Sequence, residues 1–168
     1  MSRVAMIFTG GTISMRPDAA AGGLVPTLDG AELIAATPGL AGVADLQPID
    51  WGRVPASSLS LAQVLEIADL VQAALDRPEV DGAVVVQGTD VLDETAFAYD
   101  LLLRGPKPLV VTGAMRSAEK PEADGPANLR AAVRAAASPE LRDQGVLVVM
   151  DGLILPADDV LKTHSTAT

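Results

Sequence analysis

The chain has 168 residues, about the size of one domain, and 49% of them are hydrophobic, enough for a sizeable core. Its formal net charge of −10 repels nucleic acid and anionic membranes, so neither is expected as a partner. There are no cysteines and one histidine, which excludes disulfides, thiol nucleophiles and a zinc site built from several histidines.

No apolar run is long enough to span a membrane. The apolar stretch at 4–8 is too short for a signal peptide and runs into glycines, so a cytoplasmic protein is expected. Residues 4–8 read as the first strand, followed by Thr9-Gly10-Gly11-Thr12 and a small-residue loop at 19–23. A short helix is expected after Leu28, ending near Pro38-Gly39, and a second strand at 43–49. Ser60-Leu61-Ala62-Gln63 is a capping box, with Leu61, Val64, Leu65 and Ala68 at helical spacing behind it. Strands follow at 83–87, 108–112 and 146–150. Between them, a helix runs from Asp90 as its cap to Leu103, and another spans 127–136 with Pro126 in its first turn. A second long loop covers 113–125, and the chain ends at 164–168 without a closing helix.

The strand-like runs are short and nearly continuous rather than alternating, as in strands buried on both faces of a parallel sheet. The order β-α-β-α-β-α-β-α-β predicts a single α/β domain over 1–168. It would be a three-layer sandwich around a mostly parallel, twisted sheet of the Rossmann or flavodoxin-like kind, with right-handed crossovers.

Ligands of open α/β sheets bind beyond the carboxyl ends of the strands. Four strand ends here deliver hydroxyl residues and glycines: Thr9-Gly10-Gly11-Thr12, Ala56-Ser57-Ser58, Gln87-Gly88-Thr89-Asp90 and Thr112-Gly113-Ala114. Such an edge suits an anion nest, an acyl-transfer site with a hydroxyl nucleophile and backbone oxyanion donors, or plain tight turns. Phosphate binding is disfavoured, because neither Gly-x-x-x-x-Gly-Lys-Ser/Thr nor Gly-x-Gly-x-x-Gly occurs. A hydroxyl nucleophile needs a base, and the candidates are Lys162 and His164. Lysine serves only where burial or a nearby cation depresses its pKa. Asp90, beside Thr89, is either an orienting carboxylate or an ordinary helix cap.

Five segments in order resemble the bacterial-type L-asparaginase (asparaginase/glutaminase) family. They are Thr9-Gly10-Gly11-Thr12-Ile13, the run from Gln87-Gly88-Thr89-Asp90 to Ala96, and Val111-Thr112-Gly113-Ala114-Met115-Arg116. Ala123-Asp124-Gly125-Pro126-Ala127-Asn128-Leu129 and Asp159-Val160-Leu161-Lys162-Thr163-His164 follow. The resemblance implies the fold of the family's larger N-terminal domain. It implies hydrolysis of the side-chain amide of L-asparagine to L-aspartate and ammonia, with glutaminase side activity, no metal or organic cofactor, and a homo-oligomer. By the same resemblance Thr12 is the nucleophile, and Thr89, Asp90 and Lys162 form the second catalytic group. Backbone groups near Thr12 and Thr89 hold the oxyanion, Gly11 and Gly88 bind substrate, Asp90 also meets the substrate amino group, and Ala114 faces the amide through its backbone. A non-catalytic amino-acid-binding module or an amidotransferase subunit are the alternative uses of the same fold.

Three departures stand out. The family's loop tyrosine aligns with Leu24, which leaves the activation of Thr12 open, and the only tyrosine, Tyr99, reads as core. The family serine that binds the substrate carboxylate aligns with Ala56, with Ser57 and Ser58 beside it as replacements. The family's smaller C-terminal domain, whose acidic residue completes a neighbouring subunit's site, is expected to be absent, leaving the site open on one side.

Overall fold

A computed structural model describes residues 1–19, 22–118 and 120–164; within 1–164, the side chains of Asp18, Leu24 and Pro26 are also outside the description. In chain order the elements are β1 (Arg3–Phe8), β2 (Met15–Asp18), β3 (Gly23–Pro26), α1 (Gly30–Ala36), β4 (Asp45–Asp50) and α2 (Leu61–Leu75). Then come β5 (Gly82–Val86), α3 (Leu92–Leu102), β6 (Leu109–Thr112), α4 (Gly125–Ala136), β7 (Val146–Met150) and β8 (Leu153–Pro156). The main sheet has the order β4-β1-β5-β6-β7-β8. Its first five strands are parallel and β8 runs antiparallel to β7.

Successive strand residues point to opposite faces, and here both faces are covered. Met6, Phe8, Val84, Val86, Val110 and Leu147 pack with α1 and α4. Ala5, Ile7, Val85, Val111 and Val148 pack with α2 and α3. That double burial is why the strands read as unbroken apolar runs. The result is the three-layer α/β sandwich expected from the alternation of elements.

Helix α2 begins where the capping box puts it: the Ser60 side chain accepts from the Gln63 N–H, and the Gln63 side chain accepts from the Ser60 N–H. Its buried stripe differs from the expected one. Val64, Ile67, Ala68 and Val71 face the sheet, while Leu61 and Leu65 are 73% and 42% exposed. The shift follows from the direction of the helix axis, which spacing alone does not set. Tyr99 is fully buried in α3, and burial pushes its phenol pKa up.

Several boundaries also move. β4 starts at Asp45, because Val43 closes the 3-10 turn Leu40–Gly42. α3 starts at Leu92 with Val91 at its cap position and no side-chain cap, so Asp90 is not the helix cap. α4 starts one residue before Pro126. Around the expected 19–23 loop, β2 and β3 form a separate antiparallel hairpin, of whose connection Ala20 and Ala21 lie outside the described residues. Each of its strands carries a proline, the signal that argues against a strand except in edge positions such as these. β8 was not expected at all. It follows a turn at Asp151 (φ 49°) and Gly152 (φ 73°), two positive angles of the tight hairpin type that Asp-Gly favours. The ending of the chain at 165–168 lies outside the described residues.

Candidate active site

The carboxyl ends of β1, β5 and β6 meet at one edge. Thr9 N–H donates to Val86 O at 3.0 Å, and Gln87 N–H donates to Thr112 O at 3.0 Å, so the ladder continues just past the strands. Beyond it, Gly11 and Gly88 approach backbone to backbone. A Cβ on Gly11 would lie 2.3 Å from Gly88 N, and one on Gly88 would lie 2.9 Å from Ala56 Cβ. Gly11 has φ 92° and ψ 178°, a region essentially reserved for glycine. Gly113 closes the third side, where a Cβ would meet Gln87 O at 2.5 Å. Three strand ends and the 3-10 turn Ala56–Ser58 are thus drawn together by residues without side chains to separate them.

Each glycine of the central contact precedes a threonine. Thr12 is half-buried and opens the 3-10 turn Thr12–Ser14, which Ser14 Oγ tightens by donating to Gly11 O at 2.9 Å. Thr89 is buried, and Lys162 Nζ donates to its Oγ1 at 2.8 Å. Asp90 Oδ1 lies 3.5 Å from the same ammonium. The lysine side chain is 20% exposed and the Asp90 side chain 60%, so the amine is sheltered while its counter-ion faces solvent. Among the described residues no helix N–H binds Asp90, and its carboxylate faces the lysine. Thr89, Asp90 and Lys162 are therefore brought together as expected. A cavity of about 310 Å³ opens beside Thr89 and Lys162, walled in part by Leu92, Val148, Met150 and Val160. His164, which lines the same cavity, is exposed and makes no hydrogen bond to Thr89, Asp90 or Lys162 among the described residues.

Ala114 is buried, and its loop is fixed by two polar residues of the α4 start that sequence reasoning quoted but gave no role. Asp124 accepts from the Met115 and Arg116 N–H groups, both at 2.9 Å. Asn128 donates to Gly113 O at 3.0 Å and accepts from Asp151 N–H at 3.1 Å. Their i, i+4 spacing at a helix start was the available signal. Behind Gly88, Gln87 Nε2 donates to Thr95 Oγ1 at 2.7 Å and to Gly88 O at 3.3 Å. The Gln87 Oε1 is buried and has no partner among the described residues. Ser57 and Ser58 are exposed, whereas Ala56 is buried against Gly88. Leu24 falls in β3, opposite Pro17.

The Asp93 carboxylate accepts from the Lys162 backbone N–H at 3.1 Å. Partial burial pushes its pKa up. Hydrogen bonds from the Glu94 side chain and from the backbone of Lys162, Asp93 and Glu94 outweigh that and hold it below the usual value. Glu94, sharing a hydrogen bond with Asp93, is held above its own usual value.

A family model described as Asparaginase, N-terminal, matches residues 3–168. The chain belongs to the asparaginase family. It is 38% identical to a probable L-asparaginase of Deinococcus radiodurans, over 99% of this chain and 49% of that protein. It is 34% identical to a glutaminase-asparaginase of Pseudomonas fluorescens biotype A, over 100% of this chain and 47% of the relative. The solved structure of a probable cytoplasmic L-asparaginase from Campylobacter jejuni superposes with a TM-score of 0.91 at 34% identity, covering 99% of this chain and 51% of that one. The chain thus spans about half the length of these asparaginase relatives, and its α/β sandwich is the asparaginase N-terminal fold. Among the described residues no helix is long and apolar enough to cross a membrane.

Proposed function

We propose that this chain hydrolyses the side-chain amide of L-asparagine to L-aspartate and ammonia. The observation that carries the reading is the hydrogen bond of Lys162 Nζ to Thr89 Oγ1, with Asp90 3.5 Å from the ammonium, at an edge built from bare backbone. An amine in direct contact with a threonine hydroxyl, with a carboxylate beside it, is the arrangement through which a proton can be relayed in acid–base chemistry. The names of the relatives support the substrate, and the shared name glutaminase-asparaginase motivates glutamine as a slower second one.

In the proposed reaction Thr12 Oγ1 attacks the amide carbon and its proton is taken up within the site. The carbonyl electron pair moves to oxygen, where N–H groups beside Gly11 and Gly88 hold the oxyanion. Collapse breaks the C–N bond, and the nitrogen, taking up the proton released by Thr12, leaves as ammonia. Water, deprotonated by the Thr89–Lys162–Asp90 group, then attacks the acyl ester and restores Thr12. Asp90 binds the substrate amino group, Ala114 meets the amide through its backbone, and Ser57 and Ser58 hold the carboxylate. The chain works as a homo-oligomer.

A second assignment has its own support. Lys162 touches Thr89, while the Thr12 hydroxyl makes no hydrogen bond among the described residues, so Thr89 has an amine at hand and Thr12 does not. Mass spectrometry of acid-quenched, asparagine-loaded protein distinguishes them. An aspartyl group on Thr12 is expected, and one on Thr89 exchanges the two roles. Absence of ammonia release from asparagine by the purified chain would overturn the proposal and favour a binding module.

A further inference from the structure

Lys162 reaches the site by an unusual route. β8 runs away from the active edge, and its last residue, Pro156, pairs with Leu147 near the start of β7. Ala157 N–H still bonds to Val146 O, at the far end of the sheet. The chain must then travel back the length of β7 to bring Lys162 beside Thr89. Five residues from Ala157 to Lys162 can span at most about 16 Å, and the first of them, 157–159, form a turn. This return segment belongs to no ladder. Val160 is half-buried against the core on the α3 side. Asp159 N–H bonds only locally, to Pro156 O at 3.2 Å. The tie at the active end is the bond from Lys162 N–H to Asp93 Oδ2, which links positions 69 residues apart.

Resting on the function proposed above, we propose that Asp93 is a positioning residue for the amide-hydrolysis centre, holding the Lys162 backbone so that its amine meets Thr89. Asp93 occupies the first turn of α3, the helix that starts two residues after Asp90. One rigid helix start therefore sets both the Asp90 carboxylate and the backbone of the lysine that pairs with it. Without the tie, the lysine side chain still fits its cavity, but its backbone is free to slide along an unpaired segment. A displacement of about 1 Å at a reacting group is enough to cost about a hundredfold in rate. Asp93 makes no hydrogen bond to Thr12 or Thr89 among the described residues; its bond is to the Lys162 backbone.

The test uses the full chain with Asp93→Ala and Asp93→Asn, the latter keeping an oxygen acceptor. Two readouts are taken: hydrogen exchange of the Lys162 backbone amide by NMR, and asparagine kinetics. In Asp93→Ala the Lys162 amide is expected to exchange about tenfold faster or more, with kcat down by about tenfold or more and KM within about twofold. Asp93→Asn is expected to restore both. Wild-type exchange at Lys162 in Asp93→Ala, with the helical circular dichroism unchanged, overturns the proposal. So does a loss expressed in KM alone. If the wild-type chain releases no ammonia, the function proposed above falls, and the exchange comparison still decides whether Asp93 holds Lys162.

Discussion

Gly11 and Gly88 touch through their backbones, so the two threonines that follow them are set by the register of adjacent parallel strands rather than by side-chain packing. Gly11→Ala places a Cβ 2.3 Å from Gly88 N at a backbone angle of φ 92°. Strain of this kind costs about 1–3 kcal/mol, and the clash adds a forced separation of β1 and β5 beyond their ends. Urea denaturation should show a lower midpoint with an unchanged slope. Activity should fall further than stability accounts for, and a fully active Gly11→Ala would remove the contact from the mechanism.

Lys162→Met keeps the length of the side chain and removes the amine that donates to Thr89 Oγ1. If that amine handles protons in the reaction, kcat falls by about 10²- to 10⁴-fold while the fold is retained. Ammonia release measured with asparagine in excess checks this. A variant with wild-type kcat would leave the lysine with a purely structural role.

Asn128 bonds at both ends of its amide, to Gly113 O and from Asp151 N–H. Asn128→Ala strands one buried carbonyl and loosens the loop that presents Ala114. Thermal or urea unfolding should register about 1–3 kcal/mol of destabilisation. Because Ala114 meets the substrate in the proposed complex, KM should rise. An unchanged KM with lowered stability would confine Asn128 to the fold.

Tyr99, the single tyrosine, has a buried hydroxyl with no partner among the described residues. Its folded pKa is raised by burial, while the unfolded phenol ionises near about 10. The unfolded chain therefore loses a proton that the folded chain retains, and stability falls as pH rises above about 10. Below that value the contribution is intact. Tyrosinate absorbance should appear only together with unfolding, seen independently through Trp51 fluorescence. Tyr99→Phe should be neutral or stabilising and should flatten the alkaline limb of the stability profile.

The layers and strands were legible in the sequence because burial on both faces writes itself as unbroken runs such as Val84–Val86. The hydroxyl and glycine clusters after β1, β5 and β6 were legible because parallel sheets gather their strand ends at one edge. The expected meeting of Thr89, Asp90 and Lys162 rested on a family pattern, since no local rule links residues so far apart. The hairpin of β2 and β3 was hidden by its prolines. β8 had a readable signal in Asp151-Gly152, but an antiparallel strand lies outside the β-α alternation of a parallel sheet. The bond from Lys162 N–H to Asp93 could not be read, because it depends on where an irregular segment returns. The exposure of Ser57 and Ser58, with Ala56 turned inward, likewise follows from a 3-10 turn that the sequence does not announce.

The late return of the chain past β8 bears on the order in which the Thr89–Lys162 contact forms during synthesis. Thr89 and Lys162 are 73 residues apart, so the sheet through β7 can assemble on a nascent chain before the lysine has been made. Contacts of long sequence separation are the slowest to form, and this one closes an already built layer. A polypeptide stopped after Met150 would carry the strand ends and both threonines yet lack the chemistry. If the proposed reaction holds, ammonia release in a coupled translation reaction would report completion of the β7–β8 hairpin and the return to Lys162, rather than collapse of the core.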